Sequence, residues 1–161
     1  MHQGSLSIQY QIYQKGYELQ DLQLKLLLSA EDAASLAYAP YSKFLVGASI
    51  QLADGNIIAG CNQENASYPC GICAERAVLF SYGCLKQKYK ITRMAIAVLN
   101  NHDINQIPPA PCGLCRQVMS EFEMLNQNQI ELILGHRDKV TYVFSSLQTL
   151  LPFHFHSGFL V

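Results

Sequence analysis

The amino-acid sequence predicts an α/β fold: a single-domain, three-layer α/β/α sandwich in which helices flank a mixed five-stranded sheet. The chain has 161 residues, which suits one compact domain. Half of these residues are hydrophobic, so the chain can bury a sizeable core. Segments with strand patterns alternate with segments of helical period, as expected for helices packed on a sheet. Residues 1–17 are polar and rich in Gln and Tyr, so we expect a loosely ordered N-terminal lead-in before a folded domain over residues 18–161.

Three helices are predicted from hydrophobic period and from breakers. Apolar residues recur at intervals of three and four over residues 19–39, which indicates an amphipathic helix that Pro40 ends. Residues 73–85 show a second helical pattern. A stiff, proline-rich loop then leads into a third helix, predicted over residues 112–125.

Five strands are predicted between and after these helices. Asp54-Gly55 is typical of a tight turn, so the strands on either side of it should form a hairpin. Residues 94–99 are a continuous apolar run, which indicates a strand buried on both faces. Ser145 is expected to cap a last short helix that Pro152 stops. The predicted strands cover residues 46–53, 56–61, 94–99, 130–134 and 140–144.

Charge and hydropathy exclude several classes of function. The net charge is -1, and the 11 Lys and Arg residues form no run, so we expect no nucleic-acid partner. No apolar stretch approaches the roughly 20 residues that span a bilayer, so no membrane association is expected. The first residues lack a positive segment followed by an apolar one, the pattern of a secretory signal. We therefore expect a cytoplasmic protein.

Three of the six cysteines lie at the predicted starts of helices. Cys73 begins the second helix, while Cys112 and Cys115 lie on the first turn of the third. The unpaired N–H groups and positive dipole end of a helix N-terminus lower a cysteine pKa, and thiolates are the form that binds metal. Three soft ligands suit one Zn²⁺ ion and leave the fourth tetrahedral position to water, as in catalytic zinc sites.

Two charged residues follow the first of these cysteines. Glu75 is placed to reach water at the open position without ligating the metal, so it is the candidate general acid and base. Three thiolates together with hydroxide outweigh the charge of zinc, which would make that water a poor acid. Arg76 lies one turn beyond Cys73 and could donate hydrogen bonds to the thiolates, offsetting this excess.

These motifs resemble a known signature. Cys73-Ala74-Glu75 with residues 111–115 (Pro-Cys-Gly-Leu-Cys) resembles the zinc deaminase signature in its three-cysteine form. Residues 39–48 (Ala-Pro-Tyr-Ser-Lys-Phe-Leu-Val-Gly-Ala) and 60–69 (Gly-Cys-Asn-Gln-Glu-Asn-Ala-Ser-Tyr-Pro) are similar to segments of the small cytidine deaminases. The resemblance covers residues 33–155.

Several properties are implied by this resemblance. The activity would be zinc-dependent hydrolytic deamination of cytidine and deoxycytidine to uridine and deoxyuridine, with release of ammonia, as in pyrimidine salvage. One Zn²⁺ would bind per subunit, and residues 18–161 would form the catalytic domain. The subunits would assemble into a homotetramer with shared active sites.

The resemblance also implies residue roles. Asn62 and Glu64 would hold the ribose 3′-hydroxyl, and Phe44 would pack on the pyrimidine. The N–H of Ala74 would meet the base carbonyl, and the carbonyl of Ala110 would accept from the amino group. The residues expected to reach a neighbouring subunit's pocket are Tyr68 and, from an ending that carries two phenylalanines, Phe155 or Phe153.

Two alternatives start from the same cysteines. Cys70 and Cys73 form a Cys-x-x-Cys pair, as do Cys112 and Cys115, so a closed four-cysteine structural zinc site is one alternative and a redox dithiol another. The pairs are farther apart than in the usual zinc ribbon, and a closed site would leave Glu75 unexplained. Among deaminases, a nucleotide or polynucleotide substrate would need basic residues that the sequence does not gather, which favours a free nucleoside.

Overall fold

The computed structural model describes residues 2–86, 89–99 and 107–160 of the chain. Within these ranges the chain forms one six-stranded sheet, three α-helices and four short 3₁₀ segments. The strands are β1 (Gln11–Tyr13), β2 (Val46–Leu52), β3 (Ile57–Cys61), β4 (Ile91–Val98), β5 (Glu131–Gly135) and β6 (Thr141–Phe144). The helices are α1 (Asp21–Ala34), α2 (Ala74–Gly83) and α3 (Gly113–Asn126). The 3₁₀ segments are Gly16–Glu18, Tyr68–Cys70, Leu147–Leu150 and Ser157–Phe159.

The sheet is mixed, as the sequence predicts, and has the strand order β1-β6-β5-β4-β2-β3. β4 and β5 are parallel, and the other neighbouring pairs are antiparallel. The structure adds one strand to the five predicted, because β1 pairs with the edge of β6 and places Gln11 opposite Val143. A three-residue strand is too short to give a readable alternation, and it forms only because β6 offers it unpaired backbone groups.

One helix covers the first face of the sheet. Leu26, Leu27 and Ala30 of α1 are fully buried against side chains of β4, β5 and β6. A side chain at Gly47 would collide with the backbone of Ala30, so glycine at this position of β2 allows α1 to lie close to the sheet. This contact sets how closely α1 packs against β2.

The other two helices cover the opposite face and complete the three layers. Val78 and Leu79 of α2 and Met119 of α3 are fully buried there. Alternate residues of β4 point to the two faces: Met94 packs under α2 and α3, while Ala95 packs under α1. The continuous apolar run of this strand is thereby explained, and its predicted burial is confirmed.

Two predicted helix boundaries are wrong for local reasons, and β4 begins at Ile91 instead of residue 94. α1 ends at Ala34, short of Pro40, because Ser35 Oγ donates to the carbonyl of Asp32 at 2.6 Å and the next residues make tighter turns. The cap of the 3₁₀ segment Leu147–Leu150 is Ser146 instead of Ser145, since Ser146 Oγ accepts from the N–H of Gln148 at 3.1 Å. This segment is not the last one as predicted, because Ser157–Phe159 follows Pro152. In the ranges that the structure describes, no helix has the length and apolarity needed to cross a membrane.

Candidate zinc and nucleoside site

The predicted cysteines occupy two helix N-termini. Cys73 is the N-cap of α2 and Cys112 is the N-cap of α3, both with extended backbone. The carbonyls of these caps accept the first helical hydrogen bonds, from Ala77 and Arg116, each at 3.0 Å. The N–H groups of the first turns have no partner within a helix, and with the dipole they favour negative charge on the sulfurs.

The three sulfurs converge to one point. Cys73, Cys112 and Cys115 place their Sγ atoms within 4.8 Å of one another, and the Cys112 and Cys115 sulfurs are 3.5 Å apart. An ideal tetrahedral site with Zn–S bonds of about 2.3 Å has its sulfurs about 3.8 Å apart, so the cluster fits one zinc ion. Cys70 is exposed and lies outside this cluster, which contradicts the closed four-cysteine site.

The charges within the cluster also suit a divalent cation. The pKa of Cys73 is lowered because the Cys115 thiol donates a hydrogen bond to it and Arg76 lies beside it. The pKa of Cys115 is raised because its proton is held in that bond and the thiol is buried. One thiolate therefore forms easily, whereas further ionisation needs added positive charge, which a soft divalent metal supplies.

Arg76 lies where the sequence predicts it. Its Nη2 donates to Cys73 Sγ at 3.9 Å, and its Nε is buried without a hydrogen-bond partner. A charged donor beside a thiolate stabilises the ionised form. Arg76 is thus the cation nearest to the cluster among the cavity-lining residues that the structure describes.

Glu75 lies on the first turn of α2 and is buried, with 5% of its surface exposed. Burial raises the pKa of its carboxyl above the ordinary value, and the negative charge at Cys73 adds to this effect. A carboxyl whose pKa is moved toward neutrality can both take up and release a proton at working pH. Its position on the cavity wall beside the cluster gives it access to a bound substrate.

A cavity of about 570 Å³ opens beside the cysteines, within the range of small-molecule sites. The residues predicted to contact substrate within one subunit line it: Phe44, Asn62, Glu64, Ala74 and Ala110. Tyr68, expected to reach a neighbouring subunit's pocket, also lines the cavity of its own chain. Phe155 lies outside this cavity, 56% exposed; its ring stacks on Phe159, and its carbonyl accepts from Gln117 Nε2 at 2.7 Å. Phe153 is 92% exposed.

The segment 62–64 joins the parts of the cavity wall. Gln63 forms backbone bridges to Tyr38 on one side and to Ile72 on the other, next to the first zinc ligand. Asn62 uses its side chain within the wall, since Nδ2 donates to the carbonyl of Phe44 at 2.9 Å and Oδ1 accepts from the N–H of Val46 at 2.8 Å. The ribose-contact candidates and the zinc ligands therefore share one hydrogen-bonded framework.

Sequence reasoning missed two residues that organise the site. Arg116 donates from Nε to the carbonyl of Pro111 at 2.8 Å and from Nη1 to the carbonyl of Leu150 at 3.1 Å, which ties the loop before Cys112 to the C-terminal segment. Ser42 lines the cavity and bonds to Glu64. Arg116 directly follows the last candidate ligand, Cys115, and this position in the sequence could have indicated a role at the site. Nothing in the sequence indicates that Ser42 contacts Glu64.

Comparison with known proteins agrees with this geometry. Residues 21–128 match the family model described as the cytidine and deoxycytidylate deaminase zinc-binding region. The chain belongs to this family. The match to the cytidine and deoxycytidylate deaminase family includes the three clustered cysteines, Glu75 and the whole of the 62–64 segment.

Individual relatives give the same result. The chain is 43% identical over 101 residues to the cytidine deaminase of Sporosarcina psychrophila, covering 61% of this chain and 68% of that one. It is 38% identical over 108 residues to the cytidine deaminase of Mycobacterium tuberculosis, covering 67% and 73%. The crystal structure of cytidine deaminase from Burkholderia pseudomallei aligns with a TM-score of 0.68 at 39% identity, covering 81% of this chain and 97% of that one.

Proposed function

We propose that this protein is a hydrolase that deaminates cytidine and deoxycytidine to uridine and deoxyuridine, with zinc as cofactor and ammonia as second product. The observation that carries the proposal is the buried Glu75 carboxyl beside a three-thiol cluster on the wall of a cavity that suits a nucleoside. The cytidine deaminases to which the chain is similar give this site its substrate class.

Cys73, Cys112 and Cys115 would hold the metal. Bound there, zinc would supply the Lewis-acid chemistry that makes water a nucleophile at neutral pH. The thiol donor set, the spacing of the sulfurs and the Arg76 guanidinium beside them all suit this ion. Arg76 offsets part of the excess negative charge of three thiolates.

Glu75 moves the protons of the reaction. Its carboxylate accepts a proton from the attacking water and delivers it to N3 of the pyrimidine as a bond forms at C4. The same carboxylate then takes the proton of the new C4 hydroxyl and passes it to the amino group, which leaves as ammonia while the C4 carbonyl forms. Burial of Glu75 supports this double role, because a raised pKa brings the acid and base forms closer in energy.

The remaining wall residues bind and orient the nucleoside. Phe44 would pack on the pyrimidine, the Ala74 N–H would meet the base carbonyl, and the Ala110 carbonyl would accept from the amino group. Asn62 and Glu64 would bind the ribose 3′-hydroxyl with the acceptor and donor capacity that their hydrogen bonds within the wall leave free. A polar pair that a free base would leave without its ribose partner discriminates against that base.

The charge of the cavity supports a nucleoside over a nucleotide. Among the lining residues that the structure describes, Arg76 is the single cation, and it faces the thiols. A 5′-phosphate would need Arg or Lys groups placed around it. We therefore assign free nucleosides as substrates.

Assembly and cellular role complete the proposal. We infer a cytoplasmic homotetramer in pyrimidine salvage, in which Tyr68 and Phe155 reach the pocket of a neighbouring subunit. Their exposure supports this, since aromatic side chains 77% and 56% exposed gain free energy when a partner covers them. Residues 1–17 would be a lead-in to the catalytic domain of residues 18–161, attached through β1.

The test is ammonia release with parallel loss of cytidine absorbance, measured on purified protein before and after chelation and again after zinc is restored. Turnover that is lost on chelation and recovered with zinc supports the proposal. Cytidine 5′-monophosphate serves as the comparison substrate and should react poorly. Absence of turnover on both nucleosides with one zinc bound per chain would reject the proposed function.

A further inference from the structure

Ser42 connects two parts of the nucleoside site that are distant in sequence. Its hydroxyl donates a hydrogen bond to Glu64 Oε1 and accepts one from the N–H of Phe44 at 3.0 Å. One hydroxyl thus links the carboxylate assigned to the ribose with the backbone of the residue whose ring is assigned to the pyrimidine. Ser42 itself lines the cavity, so this connection lies in the wall that would face the substrate.

The same turn holds the rest of the Glu64 carboxylate. Oε2 accepts from the N–H of Tyr41 at 2.9 Å and from the N–H of Ser42 at 3.3 Å. The hydrogen bond from the Ser42 hydroxyl is the largest reason that the pKa of Glu64 lies below its ordinary value. Glu64 is at the surface, where a free glutamate would sample several rotamers, and these donors select one of them.

Phe44 is held from both sides. Lys43 adopts a left-handed conformation with φ of 58°, which turns the chain between Ser42 and Phe44 and lets the Phe44 N–H bond to the Ser42 hydroxyl. On the other side, the carbonyl of Phe44 accepts from Asn62 Nδ2 at 2.9 Å. A non-glycine residue in this region is uncommon and persists where neighbouring bonds stabilise it.

We propose that Ser42 is a positioning residue that sets the placement of the Glu64 carboxylate relative to the Phe44 ring, and so the fit between ribose and base. The proposal rests on the proposed function, because it takes Glu64 as the ribose contact. Removal of the hydroxyl leaves Glu64 Oε1 without its donor, so that only the backbone donors to Oε2 remain, and it leaves the Phe44 N–H without its partner. Substrate binding should then suffer more than the chemical step.

The experiment compares Ser42→Ala and Ser42→Thr with the wild type on cytidine and on 3′-deoxycytidine. For Ser42→Ala we expect KM for cytidine to rise about tenfold, the effect of one hydrogen bond to a charged group, with kcat within about twofold. On 3′-deoxycytidine, which lacks the hydroxyl that Glu64 would bind, KM should rise at most about threefold. Ser42→Thr keeps the hydroxyl, so its constants should lie within about twofold of wild type.

The outcomes separate this proposal from the proposed function. Equal KM increases on the two nucleosides, a loss confined to kcat, or a threonine variant as impaired as alanine would overturn the positioning role. Zinc content and thermal unfolding of both variants show whether the fold is intact. If the wild type turns over cytidine and the variants behave like it, the positioning role of Ser42 is rejected and the proposed function stands. If the wild type shows no turnover, the proposed function is rejected together with the Ser42 role.

Discussion

Glu123 Oε2 accepts a hydrogen bond from Ser146 Oγ at 2.7 Å in the interior of the protein. The same carboxylate accepts from the N–H groups of Ile130 at 2.7 Å, Leu147 at 3.0 Å and Gln148 at 3.0 Å. Glu123 belongs to α3, the helix that carries two cysteines of the cluster, and its partners lie before β5 and after β6. Hydrogen bonds therefore connect the C-terminal half of α3 to the residue before β5 and to the residues after β6.

Replacing Glu123 with Ala should lower the free energy of unfolding by about 3 kcal/mol, because several buried donors lose their acceptor at once. Urea denaturation followed by circular dichroism measures this change at a fixed zinc concentration. Glu121→Ala, two residues earlier on the same helix, is the matched control and should change stability by less than about 0.5 kcal/mol. Equal effects in the two variants would show that Glu123 contributes no more than its helix position.

Glu75→Gln keeps the size of the side chain and removes its acid–base chemistry. We expect turnover of cytidine to fall by at least about a thousandfold, with one zinc still bound and the melting temperature unchanged. Stopped assays of ammonia, together with metal analysis of the same samples, test this. If the variant keeps most of its rate, Glu75 is not the general acid and base, and another group must move the protons.

Zinc content should distinguish Cys70 from Cys112, although both are exposed. Cys70→Ala should retain one zinc per chain, since its sulfur lies outside the cluster. Cys112→Ala should lose most of the metal because only two thiol ligands remain. Metal analysis after gel filtration gives the stoichiometry, and loss of zinc from the Cys70 variant would restore the closed four-cysteine site.

Arg76→Gln should move zinc release to higher pH. The Arg76 charge helps to lower the pKa of Cys73, so without it that pKa rises and protons compete for the sulfur at a higher pH. The pH at which activity appears should rise in the same direction. A chromogenic chelator followed across an acid titration measures the release. Lys25→Gln removes one exposed charge from α1 as control, and identical release curves for the two variants would discard the Arg76 role.

Local signals in the sequence were sufficient for much of the fold. Asp54-Gly55 predicted the β2–β3 hairpin, and Gly55 has a φ of 89°, a conformation that glycine adopts without strain. The apolar run of β4 predicted a strand buried on both faces, since its period leaves no polar side. The cysteine spacing predicted the zinc cluster because helix N-termini impose a fixed geometry on their first turn.

Features that depend on long-range contacts were not predictable in the same way. β1 forms by pairing with β6, about 130 residues later in the chain, and its own pattern is too short to indicate a strand. Ser42 and Glu64 are adjacent only because the 39–46 segment folds back over the 62–64 segment. Glu123 looks like an ordinary helix-surface carboxylate until the chain after β6 returns to cover it.

The clustered cysteines come from two helices, α2 and α3. A bound metal would therefore link these helices and stabilise the folded state, in addition to serving as a cofactor. A ligand that binds only the folded chain stabilises it by RT ln(1 + [L]/Kd), about 4 kcal/mol when free zinc exceeds Kd a thousandfold. The unfolded chain, with Cys73 and Cys112 far apart in sequence, offers no preformed site of comparable affinity. The melting temperature of this protein is consequently expected to depend on the free zinc concentration as well as on the polypeptide, and zinc depletion would reduce the amount of folded enzyme along with its rate.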